Sequence, residues 1–308
     1  MAIKVFLAAS ALILANPVLA ASPKYLITFG DSYSQTGFDI NGEKPSSSNP
    51  LGNPPFPGWT AAGGVNWVGS MAAEVNSSLV LAYNFAYGGA TVDADIVTPY
   101  MPTVQSMEDQ VDTFVNSLAE KPDYAPWKAS NTLAGVWMGV NDVGNSHWAA
   151  NVTDIMEASV SRYFELLQVL YDSGLRRFAL LTVPPTNLTP TMFNQGEENT
   201  SRLITAIGLF NGHITSKLRA FKKTNRQAKV TVVDTSRAFN KAVENPTAYG
   251  APDALCVNPD GVSCLWMDGY HPGVAIERLV AKDVVNDLKA DGFKCATAQL
   301  LRATYIIA

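Results

Sequence analysis

Tyr25-Leu26-Ile27-Thr28-Phe29-Gly30-Asp31-Ser32-Tyr33-Ser34-Gln35-Thr36-Gly37 is the stretch whose reading decides the fold. An apolar run suited to a buried parallel strand stops at Gly30-Asp31-Ser32, and the polar turn after it leaves a serine hydroxyl at the strand's carboxyl end. In an open α/β sheet, ligands bind at that edge. The same pattern recurs further along: residues 79–85 form an apolar strand that exits at Ala86-Tyr87-Gly88-Gly89-Ala90, and residues 132–137 form one that exits at Gly139-Val140-Asn141-Asp142.

Helical patterns fill the gaps. Short stretches at 66–75 and 105–119 precede an amphipathic helix at about 153–173, which carries Met156, Val160, Tyr163, Leu167 and Leu170 on one face and stops at Gly174. A fourth strand at 177–183 is halted by Pro184-Pro185. A helix at about 200–224, a fifth strand at 229–233, a short helical piece near 237–243 and a last helix at 274–290 complete the series. Five apolar strands alternating with helices predict a single three-layer α/β/α domain around a five-stranded parallel sheet. The three polar exits then share one edge. The segment 41–64, dense in Pro, Gly, Asn and Ser, is too long for a plain connector, and loops of that kind are often functional.

Composition narrows the function classes. The 308 residues carry a net charge of -5, which offers no basic surface for nucleic acid or anionic lipid and points to a neutral or soluble partner. Residues 1–20 read as a secretory signal peptide: Lys4, an apolar run too short to span a bilayer, then small residues up to a cut after Ala20, leaving one domain at 21–308 and no stable membrane anchor. Cys256 and Cys264 lie close together in a turn-rich loop whose reach suits a disulfide worth ~2.5 kcal/mol in the loop-entropy account. Cys295 is left over, either free or the true partner of one of them. Asn76, Asn151, Asn187 and Asn199 each begin a glycosylation sequon.

A serine hydroxyl is a poor nucleophile until a base accepts its proton, and a histidine oriented by a carboxylate is the common solution. The histidines are His147, His213 and His271. His213 falls inside an amphipathic helix, away from any strand end. His147 follows the third strand's exit and is a candidate to line the same edge. His271 is the candidate base, because Asp268 precedes it by one short turn and can fold back onto Nδ1, leaving Nε2 for a serine. Acyl transfer also needs donors for the developing oxyanion: backbone amides near Gly88-Gly89 and the side-chain amide of Asn141 are placed for this. Asp31, Trp59, Trp67 and Tyr87 are further candidate substrate contacts. No cofactor is expected, since the chain has no His-Glu-x-x-His, no Gly-x-x-x-x-Gly-Lys and no paired cysteine ligands.

Gly30-Asp31-Ser32, Gly89 within 84–91, Asn141 within Gly139-Val140-Asn141-Asp142, and Asp268 to His271 together resemble the four blocks of the SGNH (GDSL) hydrolase superfamily, in order and across nearly the whole chain. The resemblance implies a flavodoxin-like fold, Ser32 as nucleophile, an Asp268–His271 pair completing a triad, and an oxyanion hole made by the amides of Ser32, Gly89 and Asn141. Residues 29–38, 48–55, 57–59, 66–68 and 84–93 are similar to fungal members of carbohydrate esterase family sixteen, secreted acetylesterases of acetylated sugars and hemicellulose oligosaccharides. Tyr33 departs from the motif, which has leucine there, and is expected to touch packing or substrate more than chemistry. The sequence therefore predicts a secreted, monomeric serine esterase for short acyl esters. The competing readings are a GDSL lipase or phospholipase, which needs an apolar trough, and a glycan-binding module without turnover. No Gly-x-Ser-x-Gly elbow is present.

Overall fold

The computed structural model describes residues 23–76 and 78–290. The signal peptide assigned to residues 1–20 and the third cysteine, Cys295, lie outside them. Five strands, β1 (Lys24–Gly30), β2 (Val80–Asn84), β3 (Thr132–Trp137), β4 (Arg177–Leu181) and β5 (Lys229–Val233), form one parallel sheet in the order β2-β1-β3-β4-β5. Apolar runs build these strands because helices cover both faces, so neither side of the pleat has to be polar. β1 to β3 are almost wholly buried along their length.

The helices are α1 (Trp67–Ala73), α2 (Met107–Ser117), α3 (Val140–Ser146), α4 (Val152–Asp172), α5 (Pro190–Phe193), α6 (Glu197–Thr224), α7 (Ser236–Glu244) and α8 (Val274–Ala290). One layer contains α1, α7 and α8, with α8 packed on both of the others. The other contains α2, α4 and α6, with α4 between its neighbours, and α3 packs on both α4 and α6. The three-layer, five-strand architecture is the one the sequence predicts. Ser106 starts α2 with a capping box, accepting from Asp109 N while the Asp109 carboxylate accepts from Ser106 N. Asn66 caps α1 through Gly69 N.

The strand order places the site. From β1 the chain first goes to β2 on one side, then crosses to β3 on the other, so the carboxyl ends of β1 and β3 diverge into a crevice at this reversal. Two short helices, α3 and α5, were not in the sequence reading. α3 is rich in Asn and Gly and has little intrinsic helix preference. It is fixed from outside instead: buried Asp142 in its first turn accepts Val92 N at 3.2 Å on both carboxylate oxygens.

Candidate active site

Ser32 is the second residue after β1, and its turn is held by buried amides. Gln110, from α2, accepts Gly30 N and donates to Gly30 O, both at 2.9 Å. Asn84, at the end of β2, accepts from Thr28 Oγ1 at 2.7 Å and donates to Ser34 O at 2.7 Å. Asn66 donates to Ser34 O and Gln35 O at 2.9 Å. A buried amide that satisfies backbone groups in this way fixes the loop more firmly than apolar packing, since each lost partner leaves a desolvated polar group.

Against this turn lies the loop before α8. His271 Nε2 is 2.9 Å from Ser32 Oγ, and His271 Nδ1 is 2.7 Å from Asp268 Oδ2. Asp268 Oδ1 accepts the backbone N–H of Tyr270 and of His271, each at 2.7 Å. Partial burial pushes the Asp268 carboxyl up, but the His271 hydrogen bond and the Tyr270 amide outweigh it and bring the pKa down to about 2. The carboxylate is thus ionised at any ordinary pH and sets the imidazole tautomer with the proton on Nδ1. The same loop is closed by the Cys256–Cys264 disulfide, with Cα atoms 5.1 Å apart. Tyr33 is buried, and its hydroxyl donates to Tyr270 O at 2.7 Å. It packs rather than meeting solvent, and it ties the serine turn to the histidine loop.

Gly89 and Asn141 reach the same place from the flanking strands. Tyr87 N donates to Gly30 O at 3.0 Å, docking the exit of β2 on that of β1. Asn141 Nδ2 donates to Ala90 O at 3.0 Å, which brings α3 beside Gly89. Gly89 has φ +84, and a Cβ there would stand 2.2 Å from the Tyr100 ring, so only glycine fits. The backbone N–H groups of Ser32 and Gly89 have no hydrogen-bond acceptor among the described residues.

Three candidates from the sequence are corrected. Trp67 is 0% exposed; its Nε1 donates to Ser34 Oγ at 2.9 Å and its ring packs edge-on against Trp137, so it is core and no sugar contact. Asp31 is also 0% exposed and faces inward, its Oδ1 accepting Tyr33 N at 3.0 Å. Burial raises its pKa to about 7. His147 is 3% exposed and spends both ring nitrogens inside the protein, Nδ1 on the Gly144 carbonyl at 3.0 Å and Nε2 on Asn199 at 2.8 Å. Trp67 and His147 are amphipathic and Asp31 is a short carboxylate, and the sequence cannot tell whether such a residue turns inward or outward.

Trp59 and Tyr87 take the other course. They line a groove of about 600 Å³ with Gln35, Gly88 and Tyr100, and its wall includes Asp39 to Asn41 from the foot of the long polar loop. Gly88 carries the groove to Ser32, since a Cβ on it would lie 3.9 Å from Ser32 Cβ. Sequence reasoning missed Tyr100, which sits in an aperiodic stretch, and Gln110, which looks like any polar residue of an amphipathic helix. Asn151 is exposed at the start of α4, whereas Asn76 donates its Nδ2 to Met71 O at 3.1 Å. Asn187 and Asn199 are half-buried.

The GDSL-like Lipase/Acylhydrolase family model matches residues 26–284. An acetylesterase of Thermothelomyces thermophilus is 55% identical over 282 residues, covering 91% of this chain and 93% of that protein. An acetylesterase of Hypocrea jecorina is 24% identical, covering 85% and 88%. A GDSL esterase/lipase of Arabidopsis thaliana is 22% identical, covering 72% and 71%.

Proposed function

The chain belongs to the GDSL-like lipase/acylhydrolase family and is a carboxylic ester hydrolase, and from that premise we propose that it is a secreted, monomeric acetylesterase of acetylated sugars or hemicellulose oligosaccharides. The observation that carries the reading is the unbroken relay from Ser32 Oγ through His271 to Asp268, at 2.9 and 2.7 Å. His271 Nε2 takes the hydroxyl proton as Ser32 attacks the ester carbonyl. The amides of Ser32 and Gly89 and the Nδ2 of Asn141 receive the charge that develops on the carbonyl oxygen. The imidazolium returns its proton to the departing alcohol, leaving an acetyl-serine. A water deprotonated by the same nitrogen then releases acetate.

Preference for a short acyl group is supported by the 55% identical relative named an acetylesterase. Secretion is supported by the signal-like residues 1–20, by the disulfide and by the sequons. No described helix is long and apolar enough to cross a membrane. A relay this complete speaks against a module without turnover. The test compares acetate release from acetylated xylo-oligosaccharides with release from a triglyceride emulsion, and 4-nitrophenyl acetate with the palmitate ester. A marked preference for palmitate would replace this reading with a lipase; no ester hydrolysis at all, with sugar binding intact in Ser32→Ala, would replace it with a binding module.

A further inference from the structure

The groove beside Ser32 is edged by two of the most exposed aromatic side chains among the described residues, Trp59 at 71% and Tyr100 at 68%. Exposed rings gathered along one groove, unlike rings scattered singly, mark a binding surface. Neither ring dangles. A Cβ on Gly37 would lie 2.8 Å from Trp59 Cε3, and one on Gly89 would lie 2.2 Å from Tyr100 Cε1, so each ring rests directly on a glycine backbone in the left-handed region, φ +74 and +84. Contact with a bare Cα holds each ring in place while most of its surface stays open to solvent. Tyr87, 37% exposed, contributes a third ring between them and the nucleophile's neighbour Gly88.

The remaining lining mixes three side-chain amides with the Asp39 carboxylate and with apolar Phe38, Ile40 and Phe85. Gln35 accepts Gly88 N through Oε1, which leaves its Nε2 free, and the side-chain amides of Asn41 and Gln105 have no hydrogen-bond partner among the described residues. Exposed rings beside unpaired amides suit a molecule with apolar C–H faces and hydroxyls around its rim. That is a pyranose ring. An acyl chain would satisfy the rings and leave the amides without partners, at a desolvation cost. The volume of about 600 Å³ is in the range that encloses a ligand of roughly two to three sugar rings.

We propose that this groove binds the sugar portion of the ester, with Trp59 and Tyr100 as its stacking platforms and with Gln35, Asn41 and Gln105 reading hydroxyls. The inference rests on the carbohydrate reading above. It places specificity in the leaving alcohol rather than in the acyl group, and it assigns Tyr100 two contacts at once, Gly89 and substrate.

The experiment uses the full chain with acetylated xylotriose and 4-nitrophenyl acetate as substrates, in the parent and in Trp59→Leu and Tyr100→Leu, which keep apolar bulk but lose the flat ring. The ratio of kcat/KM for acetylated xylotriose to that for nitrophenyl acetate is expected to fall roughly tenfold in each variant, mostly through KM. Xylotriose is expected to shift the tryptophan fluorescence of the parent, and the shift is expected to be lost in Trp59→Leu. A ratio within about twofold of the parent's in both variants, while the parent cleaves acetylated xylotriose well, would overturn the groove and leave the carbohydrate reading standing. A parent that cleaves nitrophenyl acetate but not acetylated xylotriose would overturn both.

Discussion

Removing one hydroxyl, in Tyr33→Phe, tests how Ser32 and His271, the proposed nucleophile and base, are held together. Tyr33 follows Ser32, and its hydroxyl donates to Tyr270 O at 2.7 Å, the carbonyl just before His271. No other hydrogen bond to that carbonyl exists among the described residues. The Tyr33 ring also meets His271 edge-on with centroids 5.7 Å apart and stacks with Phe239 at 6.3 Å, and phenylalanine preserves both contacts. The perturbation is therefore one buried hydrogen bond and one carbonyl left without a partner, about 1–2 kcal/mol. Thermal unfolding should fall by roughly 2–8 °C at about 2–4 °C per kcal/mol. If about 1 kcal/mol of that loss is felt in the placement of His271, kcat on 4-nitrophenyl acetate falls about fivefold with KM little changed. Tyr33→Leu, the residue of the superfamily motif, loses the ring as well and should be the less stable of the two variants. A Tyr33→Phe enzyme with the expected drop in Tm but a kcat within twofold of the parent would refute the reasoning and leave Tyr33 a packing residue only.

Ser32→Ala and His271→Ala should each lower kcat at least a thousandfold while leaving the circular dichroism spectrum unchanged; activity within about tenfold of the parent would remove them from the triad. Asn141→Ala should cost about 3 kcal/mol of transition-state stabilisation, read as a hundredfold or greater fall in kcat/KM, and a near-normal rate would place it elsewhere. Stability should depend on pH in a defined sense. Burial raises the carboxyls of Asp31 and Asp142 from 3.8 to about 7, so the folded state holds protons that the unfolded state has released, and stability falls as pH rises from about 4 through 7. The fully developed cost is on the order of 4 kcal/mol per group at 1.36 kcal/mol per unit, and Asp142→Asn should flatten the decline. Asp268, lowered to about 2, works in the opposite direction: its contribution is complete above the unfolded value and is lost as pH falls through 2. A Tm that rises from pH 5 to pH 8 would contradict these assignments.

What could be read from the sequence was governed by the length over which a pattern repeats. β1 to β5 and the long helices α4 and α6 are apolar or periodic over enough residues for burial to dominate, and their positions match the expectation to within a few residues. Asp268 and His271 were legible because their contact is local: a turn three residues long can hold a carboxylate against an imidazole. Most of the failures share a different cause. Trp67 and His147 are amphipathic groups whose side chains turn inward because of partners far away in sequence, Ser34 for Trp67 and Asn199 for His147, whereas Asp31 turns inward onto the nearby Tyr33 amide. Gln110 was invisible for the same reason, since its partner is the backbone of Gly30, a full α2-to-β1 packing distance away. α3 reads as a turn because its helical state depends on Asp142 reaching Val92.

The strand order explains why residues so widely spaced can serve one serine. With β1 between β2 and β3, the exits carrying Gly89 and Asn141 stand on either side of Ser32, and the hydrogen bond from Asn141 to Ala90 closes the ring. Had the chain run β1-β2-β3, Asn141 would lie a strand further away, about 5 Å in the pairing direction, and could not reach. No such neighbour relation delivers the base. β5 lies at the far edge, so the chain must return across β4 and β3 before α8, and it does so in a loop with little regular structure. A loop of that length has many conformations, and its closure entropy has to be met by specific fastenings. The structure supplies them in sequence: the Cys256–Cys264 disulfide, the Asp268 turn, and the Tyr33 hydroxyl that belongs to the nucleophile's own turn. The proposed oxyanion donors are thus positioned by the topology of the sheet and the proposed base by three ties, so mutations in the ties should degrade proton transfer while leaving the fold of the sheet unchanged.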